Sequence, residues 1–131
     1  MKLISYRRVS SNKQVTEGDS LEGQKRTIEQ WVKRRGHQIA MEFVDGGVSA
    51  YKNSKTRKAF CDMLEYAVSN KEYVDGIIVY NLSRFARNEL ARLQAEEELS
   101  KAGIQVFSAT EEVPEKFLKV PELFFRFKIF L

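Results

Sequence analysis

Val74-Asp75-Gly76-Ile77-Ile78-Val79-Tyr80 is the stretch whose reading decides the fold. Its apolar residues run almost without a break, where a strand with one wet face would alternate. A short β-branched run of this kind predicts a strand of a parallel sheet covered on both faces. Parallel strands need long crossovers, and the flanking sequence supplies them. Upstream, residues 57–69 carry Phe60, Leu64, Ala67 and Val68 on one side of a predicted helix. Downstream, residues 84–102 predict one long helix, stopped by Gly103, before a strand over Ile104–Ser108. Nearer the start, residues 2–7 predict a first strand. Asp19-Ser20 can cap a helix running through Arg35 with Leu21, Ile28, Trp31 and Val32 at helical spacing, and Gly36 ends it. Ile39–Val44 predicts the second strand; Asp45-Gly46-Gly47 reads as a turn and the polar stretch to Lys55 as a loop. Strands alternating with helices predict an α/β fold with a mostly parallel central sheet of about four to five strands, flanked by helices in three layers.

Composition sets the bounds. The chain has 131 residues, 43% of them hydrophobic and 31% charged, which suits one globular domain with its own core. A net charge of +4 permits an anionic partner without demanding one. The single cysteine, Cys61, excludes a disulfide framework within the chain and is expected as a small buried hydrophobe. The opening Met1-Lys2 and its short apolar run do not make a secretory leader. No apolar stretch approaches the ~20 residues of a membrane span, so a cytoplasmic protein is expected.

Chemistry concentrates where strands end. Tyr6-Arg7-Arg8-Val9-Ser10-Ser11 runs from the first strand into two arginines and two serines. A hydroxyl beside guanidinium groups offers a nucleophile next to phosphate binders, and Arg8 and Ser10, two apart, share a face if the strand continues. A strand closing in a polar turn would read the same. The second motif, Asn81-Leu82-Ser83-Arg84-Phe85-Ala86-Arg87-Asn88, lies where the third strand hands over to a helix. Ligands of open α/β sheets bind beyond the carboxyl ends of strands, so the two motifs are expected at one crevice. Arg84 and Arg87 add positive charge to a helix N-terminus, which is unfavourable unless an anion sits there. A solvated helix start whose arginines cover apolar surface is the alternative. Taken singly, Gln14, Gln24, Asp45, Ser49 and Arg57 read as surface: Asp45 as a turn cap, Arg57 as a solvated helix residue.

The ordered set is more specific than its parts. Tyr6-x-Arg8-Val9-Ser10, Gln14, Ser20-Leu21-x-x-Gln24, Asp45-x-x-x-Ser49, Arg57 and Leu82-Ser83-Arg84-Phe85-x-Arg87-Asn88, spread over residues 3 to about 109, resemble the catalytic domain of the serine recombinases, the resolvase/invertase family and the large serine integrases. The resemblance implies a resolvase-like fold. It also implies that Ser10 attacks a DNA phosphodiester to form a 5′-phosphoserine link, with Arg8, Arg84 and Arg87 around the scissile phosphate. Arg57 matches a further arginine of the site, and Gln14, Gln24 and Ser49 its polar supports. No metal or other cofactor is implied. The implied partners are DNA and further copies of the chain, as a homodimer and as a tetramer in the synaptic complex. The family often has aspartate where Ser83 stands, a change expected to modulate rather than disable, and Ser-Gly is common where Ser49-Ala50 stands. No general base is assigned: the only histidine, His37, falls at the far end of a helix, which speaks against a Ser-His-Asp hydrolase. Residues 1–112 are expected to form the catalytic domain. Residues 113–131, rich in phenylalanine, are expected to form a helical tail available for oligomerisation, with no DNA-binding domain following. A non-catalytic remnant or regulator that associates with DNA or with a full-length recombinase is the competing functional class.

Overall fold

Every residue of Gly76–Val79 is buried, and this strand, β3, forms the centre of the sheet together with β1 (Lys2–Arg8). The computed structural model describes residues 1–9, 20–46, 57–86 and 88–112. Between and after these two strands come α1 (Leu21–Arg34), β2 (Gln38–Asp45), α2 (Lys58–Ser69), α3 (Leu82–Phe85), α4 (Glu89–Lys101) and β4 (Gln105–Ser108). The strands lie in the order β2-β1-β3-β4, and every pairing is parallel. Ile4 sits opposite Ile77 and Tyr6 opposite Val79, while β2 brings Asp45 opposite Arg8. The chain goes from β1 out to β2 and then returns past β1 to β3, so its winding reverses between the two central strands.

Alternation along the strands sorts the core into two layers. Leu3, Ile78 and Phe107 pack with Ile28, Trp31 and Val32 of α1 on one face. Ile4, Tyr6, Ile77, Val79 and Val106 pack with Met63 and Ala67 of α2, Phe85 of α3 and Leu99 of α4 on the other. Side chains such as Ile77 and Ile78 are fully buried, each contributing about 1.5–3 kcal/mol relative to exposure. The three-layer α/β expectation therefore holds, with four strands among the described residues. No helix among those residues is long and apolar enough to cross a membrane.

Three expectations need correction. The long helix over 84–102 is two helices, α3 and α4, separated at Ala86, whose backbone is extended (φ −157°, ψ 133°). Two asparagines compete with helix continuity: Asn81 caps α3 through the Arg84 N–H, and Asn88 caps α4 through the Ala91 N–H at 3.1 Å. The break also drives Phe85 into the core, its ring centroid 5.2 Å from that of Phe60. Val68 does not join the packed side of α2. It is 47% exposed, because the contact with the sheet centres on Met63 and Ala67. It borders a cavity of about 340 Å3 between α2 and α4, with Leu64, Ala95 and Leu99 on its walls and Glu65 and Glu98 beside them. Cys61 is exposed rather than buried, since it lies about 200° around α2 from Met63, which points into the core.

Candidate active site

β1 and β3 end side by side at the reversal of the winding, the position where open α/β sheets bind ligands. The end of β1 is gripped by a side chain. Gln24 Nε2 donates to the Arg8 carbonyl at 2.9 Å, and Gln24 Oε1 accepts the Arg8 N–H at 3.3 Å. The amide thus substitutes for a neighbouring strand, serving a donor and an acceptor of one residue. Gln24 is fully buried and sits in the first turn of α1. The Ser20 cap fixes that turn: Ser20 Oγ accepts the Gly23 N–H at 3.0 Å, and the Ser20 carbonyl accepts the Gln24 N–H at 2.8 Å. Arg7, by contrast, is turned to the α1 side, donating to the Leu21 carbonyl at 3.0 Å and lying 3.6 Å from Glu42.

A partly buried polar cluster lies on the opposite face. Asp45, the last residue of β2, reaches the start of α2 and accepts the N–H groups of Ala59 and Phe60, both at 3.0 Å. Those are two of the donors that a helix start leaves unpaired, and a negative charge suits that end of the dipole. Asp45 Oδ2 also accepts the Tyr6 hydroxyl at 2.7 Å. Burial first, and then this bond to the carboxylate, raises the Tyr6 hydroxyl well above the ordinary tyrosine range, against the lowering influence of Arg57. Arg57 completes the cluster. Its Nη2 donates to the carbonyls of Phe85 at 2.6 Å and Arg84 at 3.1 Å, with Tyr6 Oη at 3.3 Å, and its guanidinium lies 3.8 Å from the centroid of the Phe60 ring. One arginine therefore joins the α2 start, the end of β1 and the turn that bears Arg84.

That turn is fastened at its other end too. Asn81 Oδ1 accepts the Arg84 N–H at 3.1 Å and the Ser83 hydroxyl at 2.7 Å. The Leu82 N–H donates to Glu111 Oε1 at 2.6 Å, from beyond β4.

Six residues singled out in the sequence are thus brought to one edge of the sheet: Arg8, Gln24, Asp45, Arg57, Ser83 and Arg84. Asp45 caps a helix rather than a turn. Arg57 is built into the framework rather than solvated. Ser83 is exposed and bonded to Asn81. Ser10, Gln14, Ser49 and Arg87 lie outside the described residues, as does the expected tail over 113–131. The helix that bears Arg84, α3, ends at Phe85. Sequence reasoning missed Asn81 and Glu111. An asparagine directly before a helical run is a recognisable cap, whereas Glu111 carries no local signal, because its partner is 29 residues away. Chemically, the edge presents an arginine and an arginine-bearing turn held from behind, an arrangement suited to an anion.

The family model described as "Resolvase, N terminal domain" matches residues 3–127. No curated protein matches the chain. Among solved structures, a resolvase family site-specific recombinase from Streptococcus pneumoniae is similar at 27% identity and a TM-score of 0.69, covering 98% of this chain and 90% of that one. A serine recombinase from Sulfolobus solfataricus is also 27% identical, with a TM-score of 0.57 over 98% of this chain and 81% of that one. The N-terminal catalytic domain of TP901-1 integrase shares the fold at 24% identity and a TM-score of 0.70, covering 98% and 96%.

Proposed function

The chain belongs to the family of the resolvase N-terminal domain, and from that premise we propose that this site-specific recombinase domain cuts and rejoins DNA through a covalent 5′-phosphoserine. The observation that carries the reading is the mutual fixing of the ends of β1 and β3: Gln24 holds the backbone of Arg8, and Arg57 holds the backbone of the Arg84 turn. Side chains anchored on rigid elements can meet a transition state without reorganising, which is where most electrostatic catalysis arises.

Ser10 is the nucleophile in this reading. Its Oγ forms a bond to the scissile phosphorus as the bond from phosphorus to the 3′ oxygen breaks. The serine proton passes to a base, and the departing 3′ oxygen takes up a proton. Arg8, Arg84 and Arg87 offset the charge on the non-bridging oxygens, and Gln14 and Ser49 supply polar support. Arg57, Gln24 and Asp45 act behind them as the frame. The phosphoserine ester retains the free energy of the cleaved bond, so a 3′ hydroxyl from another strand can attack it and reseal the DNA without ATP. Arginines take the place a metal has in other phosphoryl transfers. Two copies on one site and four in the synaptic complex give the four cleavages that exchange of two duplexes requires.

The test is adduct trapping on a nicked duplex, read by mass spectrometry. The wild-type chain and Ser11→Ala are expected to form the adduct, and Ser10→Ala to form none. Arg84→Ala should slow cleavage by about 10²-fold, in the range of losing one oxyanion donor, while remaining folded. An adduct formed by Ser10→Ala but not by Ser11→Ala would reverse the assignment. No adduct from the wild-type chain would favour the non-catalytic class.

A further inference from the structure

The turn that carries Arg84 is held in part from the segment after β4, which supplies no group to the proposed chemistry. α3 has four residues, too few for a helix to maintain itself in water, so its attitude depends on Arg57 at its end and on two side chains at its start. One of the two at the start is local, Asn81. The other is Glu111, whose Oε1 accepts the Leu82 N–H at 2.6 Å. A carboxylate on a backbone amide makes a charge-assisted bond, stronger than a neutral one. Glu111 is itself fixed. The same oxygen accepts the Ser108 hydroxyl at 3.1 Å, and Ser108 Oγ accepts the N–H groups of Glu111 at 3.1 Å and Thr110 at 3.3 Å. Ser108 is buried, and the Thr110 hydroxyl donates to the Tyr80 carbonyl at 2.9 Å. The segment after β4 is thereby fastened to the segment after β3.

We infer that Glu111 is a positioning residue of the recombinase site: through the Leu82 amide it sets the attitude of the turn that brings Arg84 to the scissile phosphate. The inference rests on the reading of Arg84 as a phosphate ligand. Glu111 itself touches no DNA. Its effect lies in orientation, to which phosphoryl transfer is sensitive because small misplacements of a catalytic group are costly.

The experiment compares wild type, Glu111→Ala and Glu111→Gln in the full chain. It measures single-turnover cleavage of a nicked duplex at saturating protein, DNA affinity, urea unfolding and hydrogen exchange at the Leu82 amide. Glu111→Ala is expected to cleave about tenfold more slowly and to exchange the Leu82 amide about tenfold faster, the loss of one hydrogen bond. Affinity should stay close to wild type, and the unfolding midpoint should fall by no more than the loss of that one bond, leaving the chain folded under the assay conditions. Glu111→Gln, whose amide oxygen accepts the same bonds, should recover most of the rate. Cleavage by Glu111→Ala at the wild-type rate overturns the inference, as does a slow rate that matches the fraction of chain unfolded under the assay conditions. Equal slowing in both variants would mean that Glu111 acts by charge, which also overturns it. If wild type forms no adduct, the phosphate reading falls and the positioning role with it; if wild type cleaves and Glu111→Ala matches it, only the positioning role falls.

Discussion

Gln24→Met removes both bonds to Arg8 while keeping most of the side-chain volume in a fully buried position. The Arg8 N–H and carbonyl each lose this partner. An abandoned backbone group costs about 1–3 kcal/mol when fully buried, and Arg8 is only half-buried, so about 1–1.5 kcal/mol each is reasonable. The sum, roughly 2–3 kcal/mol, corresponds to a fall in Tm of about 8–12 °C for a chain of this length. Urea unfolding followed by circular dichroism should give that difference with an unchanged slope, because the surface exposed on unfolding is the same. Cleavage should fall by more than stability alone accounts for, since Arg8 stands two residues before Ser10 in the chain. Gln24→Glu should be at least as damaging at neutral pH: a carboxylate can accept from the Arg8 N–H but sets a charged oxygen against the Arg8 carbonyl. A Gln24→Met chain within about 0.5 kcal/mol of wild type, the usual scatter for inert substitutions, would refute the claim that this amide holds the strand end.

Tyr6 predicts an alkaline limit. Its folded pKa is raised above the unfolded value, so its contribution to stability is present below pH ~10 and is lost as pH rises further. Urea midpoints should drop more steeply above pH 10 in wild type than in Tyr6→Phe, which lacks the titrating group. Gly46→Ala should destabilise by about 2–4 kcal/mol in the same unfolding assay. Gly46 has φ 140°, a region that side chains disfavour, and an added Cβ would lie 2.8 Å from Val9 Cγ1 and 2.9 Å from the Val9 carbonyl oxygen. Arg57→Lys keeps the charge but loses the fork and the flat contact with Phe60, so single-turnover cleavage should fall about tenfold, and about a hundredfold in Arg57→Met. Equal rates in the two variants would show that the geometry, rather than the charge, carries the whole effect.

The central strand β3 was legible because burial on both faces leaves a run of apolar residues, Ile77-Ile78-Val79, that no loop or surface helix needs. The helix α1 was legible because its start and its apolar stripe are local signals, and Ser20 caps it as read. The long helix over 84–102 was misread because apolar spacing continues across Ala86, whereas Asn88 and the burial of Phe85 end α3 there. Cys61 and Val68 were misplaced because periodicity gives the phase of a helix only approximately, and the contact with the sheet chose Met63 and Ala67.

For the site, the order and spacing of residue types in the chain were enough to single out Arg8, Gln24, Asp45, Arg57 and Arg84, which the fold brings to one edge of the sheet, and to resemble a family. What the sequence could not hold is which of them hold the others in place. Gln24 on the Arg8 backbone, Asp45 on the α2 start, Arg57 on the carbonyls of Arg84 and Phe85, and Glu111 on Leu82 are contacts between residues 14 to 29 positions apart. They exist only once parallel pairing has set β1 beside both β2 and β3. A hydrogen bond depends on a few tenths of an ångström and on direction, and that information enters with the packing of the sheet, after local propensities have been spent.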